Sequence, residues 1–201
     1  MRDIYLYDDI DVMKNKLNIK NKEELEKAEA DITYIKLLDI DRATANGVFN
    51  LKHLKAIHKY MFEDIYEWAG EIRTVNIEKS EKLLNGMSVE YCDYSLIERE
   101  CKNTLHSLKT IEWGKLSYDD KIEYFAKYTG RLWQIHPFRE GNTRAIITFM
   151  TQFAASVGID FDRELLRNKA QYVRDALVMT SIGEYSEYIY LINILKEVIV
   201  A

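Results

Sequence analysis

Ten consecutive residues, Ile135-His136-Pro137-Phe138-Arg139-Glu140-Gly141-Asn142-Thr143-Arg144, gather an imidazole, a carboxylate, an amide and two guanidinium groups around a proline and a glycine. Pro137 disfavours the helical region for His136, so a preceding helix stops near Gln134. Gly141 supplies a permissive backbone where the next helix begins. A tight loop thus feeds a helix N-terminus, whose free N–H groups and dipole attract anions. Arg144 in that first turn opposes the dipole unless an anion neutralises both. Asn142 adds an amide donor. Glu140, a hard oxygen ligand beside a phosphate-like site, suits Mg²⁺ held jointly by carboxylate and phosphate. His136 is placed to take a proton from an incoming hydroxyl. Singly, these residues have plainer uses: a helix-end histidine, capping side chains, a surface arginine. Their convergence in one loop favours chemistry.

The elements around the loop read mostly as helix. Asn21, with Glu24 three residues later, starts a helix over about 22–38 whose apolar positions are Leu25, Ala28, Ile32 and Ile35. Leu51, Leu54, Ile57, Met61 and Ile65 mark a second, ending before Gly70. Helices are expected over about 88–109, from a Ser117 cap to Trp133, and over about 141–157, 162–179 and 186–200. Residues 71–78 change character: β-branched Ile72, Val75 and Ile77, with the turn pair Asn85-Gly86 downstream, predict a short strand or hairpin. The first 20 residues show little period and are expected to wrap the rest as coil or one short helix.

Composition agrees. The chain has 201 residues with one proline and eight glycines, 47% hydrophobic and 30% charged. So few turn residues exclude collagen-like, low-complexity and all-β classes, and the length suits one domain. A net charge of −5 argues against nucleic acid as a partner. No apolar run is long enough to span a membrane, and the N-terminus lacks a signal-type apolar region, so a soluble, cytoplasmic protein is expected. Cys92 and Cys101 read as reduced packing residues. His53, His58 and His106 read as packing or surface residues, and the last helix as core, with a homo-oligomer contact as the sharper option.

The loop resembles the signature of Fic-domain proteins, H-P-F-x-[D/E]-G-N-G-R-x-x-R. Trp68-Ala69-Gly70-Glu71-Ile72-Arg73-Thr74-Val75-Asn76-Ile77 is similar to the segment entering that family's flap hairpin, and the likeness extends over about residues 20–180. The resemblance implies an all-α Fic-type bundle with a small β-hairpin flap: one domain over 1–201, with a wrap at 1–20, a core at about 21–180 and a C-terminal helix at about 186–200. It implies a protein adenylyltransferase using ATP and Mg²⁺. His136 would deprotonate a Ser, Thr or Tyr hydroxyl of a target protein, Glu140 would hold Mg²⁺, and Gly141, Asn142, Thr143 and Arg144 would bind phosphates. Phe138 would anchor the loop. The flap, Thr74, Val75, Asn76, Ile77, Glu78 and Lys79, would pair with an extended target segment. A separate antitoxin-like inhibitor is a further partner that the family suggests.

Two positions depart from the signature. Thr143 replaces its last glycine, which is tolerable if the residue is already helical. Ile147 replaces its second arginine, which in the family meets the outer phosphate; Arg139 is a possible substitute. Thr180-Ser181-Ile182-Gly183-Glu184-Tyr185 matches five positions of the family's inhibitory motif [S/T]-x-x-x-E-[G/N], but Gly183 favours a turn there. Two alternatives therefore stand beside adenylylation: another phosphate-ester transfer on the same scaffold, such as phosphorylation, and a nucleotide- or partner-binding module with little turnover.

Overall fold

A computed structural model describes residues 3–45 and 47–200. Nine helices hold the described chain: α1 (Lys22–Leu38), α2 (Ile40–Thr44), α3 (Leu51–Phe62), α4 (Ile97–Thr110), α5 (Tyr118–Ile135), α6 (Asn142–Ser156), α7 (Arg163–Asn168), α8 (Ala170–Met179) and α9 (Ile189–Val198). The expected helix starts follow from side-chain caps. Asn21 Oδ1 accepts from Glu24 N–H at 2.9 Å, and Ser117 Oγ from Asp120 N–H at 3.2 Å. Asn50 and Asp162 cap α3 and α7 in the same way.

Helix α6 is the axis of the bundle. Ten of its fifteen residues are buried, and it packs on α3 and α5, with Phe125 of α5 against its Phe153. Each large apolar side chain so buried contributes about 1.5–3 kcal/mol. The rigid part of the molecule is thus the helix whose first turn opens at the chemistry-bearing loop.

Several local expectations change. Residues 71–81 form no strand; the segment is an irregular loop with a bend at Thr74 and Val75. An isolated strand leaves its N–H and C=O groups without a ladder, and here other groups take them: Thr74 N–H donates to Tyr5 Oη at 3.1 Å, and the Arg73 guanidinium takes Val75 O. The Asn85-Gly86 turn does form, both residues having positive φ, and closes a single 3₁₀ turn at Lys82–Leu84. The described chain's paired strands lie elsewhere, antiparallel β1 (Asp160–Phe161) and β2 (Ile199–Val200). Helix α4 begins later than expected because 88–92 returns from the flap over the loop, and Asp93 caps the next turn. The stretch 162–179 breaks into α7 and α8 at Lys169. Thr180–Tyr185 is a turn, as its glycine suggested.

The N-terminal wrap is a small hairpin bridged at Leu6 and Met13. It is tied down by Lys16 N–H to Ile65 O at 2.8 Å and by Asp3 to Arg139 at 2.6 Å. Helix α1 also turns differently from its apolar spacing. Its buried residues are Leu25, Glu29 and Thr33, whereas Ile35 is exposed. The cause is a polar requirement at the site, described next.

Candidate active site

Helix α5 ends at Ile135, and His136 takes the left-handed conformation, φ 50° and ψ 63°. A non-glycine residue there costs roughly 1–3 kcal/mol and needs surrounding structure to enforce it. The enforcement comes from Arg73, which is fully buried. Its Nε donates to His136 O at 2.8 Å, its Nη atoms donate to the carbonyls of Val75, Cys92 and Ile135, and its backbone N–H donates to Pro137 O at 2.9 Å.

The His136 ring is itself buried and oriented. Nδ1 lies 3.0 Å from Trp133 O, and Tyr91 packs on the ring with centroids 4.2 Å apart. A carbonyl only accepts, so Nδ1 carries the proton and Nε2 keeps its lone pair. Nε2 has no partner in the structure. Burial, followed by the Lys79 charge, holds the imidazole pKa well below its usual value, so the His136 ring is neutral at neutral pH.

The next turn is fixed by Asn142, whose Oδ1 accepts from Phe138 N–H at 2.9 Å and whose Nδ2 donates to Phe138 O at 2.7 Å. The amide expected to meet phosphate therefore closes the loop with both ends of its side chain. Phe138 is buried and stacks on His58 at 3.8 Å. His58 is a brace: Nε2 donates to Glu140 O at 3.0 Å, and Nδ1 accepts from Gly70 N–H at 2.8 Å. Gly141 has φ +77°, and a Cβ there would stand 2.2 Å from Phe62 Cζ. Only glycine fits.

Helix α6 then starts without a side-chain cap, leaving first-turn N–H groups for an anion. Thr143 lies within the helix and accepts from Trp133 Nε1 at 2.9 Å, so its branched side chain meets no positive φ. Arg144 turns back onto α1, bonding Glu29 and Thr33, with its guanidinium over the Phe62 ring. Glu29 also accepts from Tyr66 Oη. This network is why α1 buries Glu29 and Thr33.

Glu140 meets a cation already. Its Oε2 is 2.9 Å from Lys79 Nζ, and its Oε1 accepts from Gly141 N–H at 3.1 Å. Burial pushes the carboxyl pKa up, but Lys79 and the Gly141 N–H outweigh it and bring it down to about 2. Of the flap positions Thr74–Lys79, only Lys79 lines the cavity of about 510 Å³ that holds His136, Glu140, Gly141, Asn142, Thr143 and Arg144. Arg167 and Arg174 line its far wall. Arg174 is held by both oxygens of Glu81, and Glu81 accepts from Tyr91 Oη, which steadies the ring over His136.

Three positions that the signature drew attention to do not line this cavity. Arg139 is paired with Asp3. Ile147 lines a neighbouring apolar cavity of about 180 Å³ with Leu37, Ile40 and Leu166. Glu184 is exposed in the turn after α8 and does not line the site. Sequence reasoning missed Glu29, Arg73, Tyr91 and Arg167 as site residues. An acidic residue four positions after Leu25 on α1 was the available signal for Glu29; the others carry none that spacing reveals.

Residues 48–154 match the model of the Fic/DOC family. The chain is 35% identical over 164 residues to protein adenylyltransferase VbhT of Bartonella schoenbuchensis, covering 80% of this chain but 33% of that protein. It is 31% identical over 172 residues to the probable protein adenylyltransferase Fic of Escherichia coli, covering 84% of this chain and 80% of that one. In fold it is similar to the BepC protein of Bartonella tribocorum, solved with bound AMPPNP, at a TM-score of 0.81 and 20% identity over 98% of this chain and 96% of that one. No helix among the described residues is long and apolar enough to cross a membrane.

Proposed function

The chain belongs to the Fic/DOC family, and on that footing we propose that it is a protein adenylyltransferase, moving AMP from ATP to a hydroxyl side chain of a target protein. The observation that carries the reading is the His136 imidazole, with its Nδ1 committed to Trp133 O and its Nε2 unpartnered in a cavity beside an ionised Glu140. As the target oxygen bonds to the α-phosphorus, Nε2 takes its proton. The bond from that phosphorus to the bridging oxygen breaks, and pyrophosphate leaves with the electron pair.

The uncapped first turn of α6 offers the backbone N–H groups of Asn142 and Thr143 to the phosphates, beside Gly141, whose own N–H is held by Glu140, and Arg144 offers a guanidinium. Arg167, which has no carboxylate partner among the described residues and lies over the Tyr34 ring, is the cation available to the outer phosphates in place of Ile147. The Glu140 carboxylate fits Mg²⁺: it is ionised, opens on the phosphate-binding turn and already attracts an ammonium group. When bound, Mg²⁺ would supply charge neutralisation on the phosphates. The Thr74–Lys79 segment has no strand neighbour among the described residues, which supports its pairing with an extended segment of the target.

The test is transfer of label from Mg-ATP carrying it on the α- or the γ-phosphate, to proteins of a cell lysate. Label from the α-phosphate alone, lost in His136→Ala, is expected. Label from the γ-phosphate would identify phosphorylation, and no His136-dependent label would leave a binding module.

A further inference from the structure

Arg73 is 1% exposed yet has no carboxylate partner. A buried guanidinium is expensive unless its donors are met. Here they are met by main-chain carbonyls alone: Ile135 and His136 at the end of α5, Val75 on the outgoing flap arm, and Cys92 on the returning arm. These are separate stretches of chain, and they converge on one guanidinium, which thereby ties the left-handed His136 to both flap arms. The ring on that residue has its own restraints in Trp133 and Tyr91. Its backbone is restrained by the Arg73 side chain on one side and by the Arg73 N–H to Pro137 O on the other.

We infer that Arg73 is a positioning residue for the base: its planar fork clamps the carbonyls around the left-handed His136, so that the ring points Nε2 into the cavity with Nδ1–H on Trp133 O. Lysine cannot replace it. A guanidinium presents five donors in one plane, whereas an ammonium presents three from a point. The inference rests on the reading of His136 as base, and it goes beyond that reading in naming what makes the base competent. It also gives the flap a role besides docking, because both arms are fastened to the base through one side chain.

The test uses Arg73→Lys and Arg73→Gln in the full chain, with thermal midpoints as a check on folding. Misplacing a reacting group by about 1 Å costs on the order of a hundredfold in rate. A fall of that order in kcat is therefore expected, with ATP affinity by calorimetry changed less than about twofold. Nitrogen NMR of the His136 ring reads the same event without turnover: a single neutral Nδ1–H form in the parent, and mixed tautomers in both variants. A folded Arg73→Lys protein that keeps the parental tautomer and kcat would overturn the inference. If the parent transfers no AMP, the adenylyltransferase reading fails, while the ring spectrum still decides the role of Arg73. If Arg73→Gln does not fold, Arg73→Lys keeps the charge without the fork and decides alone; should it too fail to fold, Arg73 is a fold residue and the inference is lost.

Discussion

Lys79 Nζ stands 2.9 Å from Glu140 Oε2, so a cation delivered by the flap already sits on the carboxylate proposed for Mg²⁺. The contact couples the segment that would receive a target protein to the group that would hold the metal. The ammonium repels a second cation at the same carboxylate, so metal binding has to work against Lys79. Lys79→Met is therefore expected to raise affinity for Mn²⁺ severalfold in the presence of a non-hydrolysable ATP analogue, read by electron paramagnetic resonance. Unchanged or weaker Mn²⁺ binding would show that the lysine does not compete.

Arg144 is tied by the same logic to Glu29 and Thr33 of α1. A nucleotide phosphate has to outcompete the Glu29 carboxylate for that guanidinium. Glu29→Gln is expected to tighten ATP binding severalfold in calorimetry, while Arg144→Ala weakens it by about tenfold, the value of a charge-assisted hydrogen bond of about 1.5 kcal/mol. The Glu29→Gln protein should also melt slightly earlier, because the half-buried Arg144 guanidinium loses its counter-charge.

Folding stability should fall in acid. Burial lowers the His58 pKa to about 3 from 6.5, and His136 moves the same way. Between those values the unfolded chain binds a proton that the folded chain refuses. The stabilisation is thus complete above pH 6.5 and declines as pH falls, by about 1.4 kcal/mol per unit for each histidine. Urea denaturation at pH 7.5, 6 and 5 measures the slope, which His58→Gln should reduce.

Gly141→Ala should cost about 2–4 kcal/mol. Its φ of +77° disfavours any Cβ, and that atom would stand 2.2 Å from Phe62 Cζ. Gly114→Ala is the control, since nothing lies within 4 Å of its added Cβ; it should change the denaturation midpoint little.

Much of the site was legible because its parts are adjacent in the chain. Pro137 next to His136 announced a helix end, and Gly141 before Asn142 announced a helix start, since both act through local backbone sterics. The flap was not legible as it stands. Val75 and Ile77 carry strand propensity, but a strand needs a neighbour, and Arg73, Tyr5 and Ser88 supply the hydrogen bonds in its place. Asn142 shows the opposite error. Its amide reads as a free donor in one dimension, whereas folding closes the loop on it.

The sequence by itself determined the helical class, the capped helix starts and the loop between α5 and α6 that carries the histidine proposed as base. Those follow from interactions within a few residues of one another. Only the tertiary structure decided what each charge in the cavity holds: Lys79 on Glu140, Glu29 on Arg144, Glu81 on Arg174, and Arg73 on the carbonyls around His136. Each of those pairs joins segments far apart in the chain, and burial makes each choice costly to leave unmade. Periodicity and local propensity do not encode which distant partner a charge will meet.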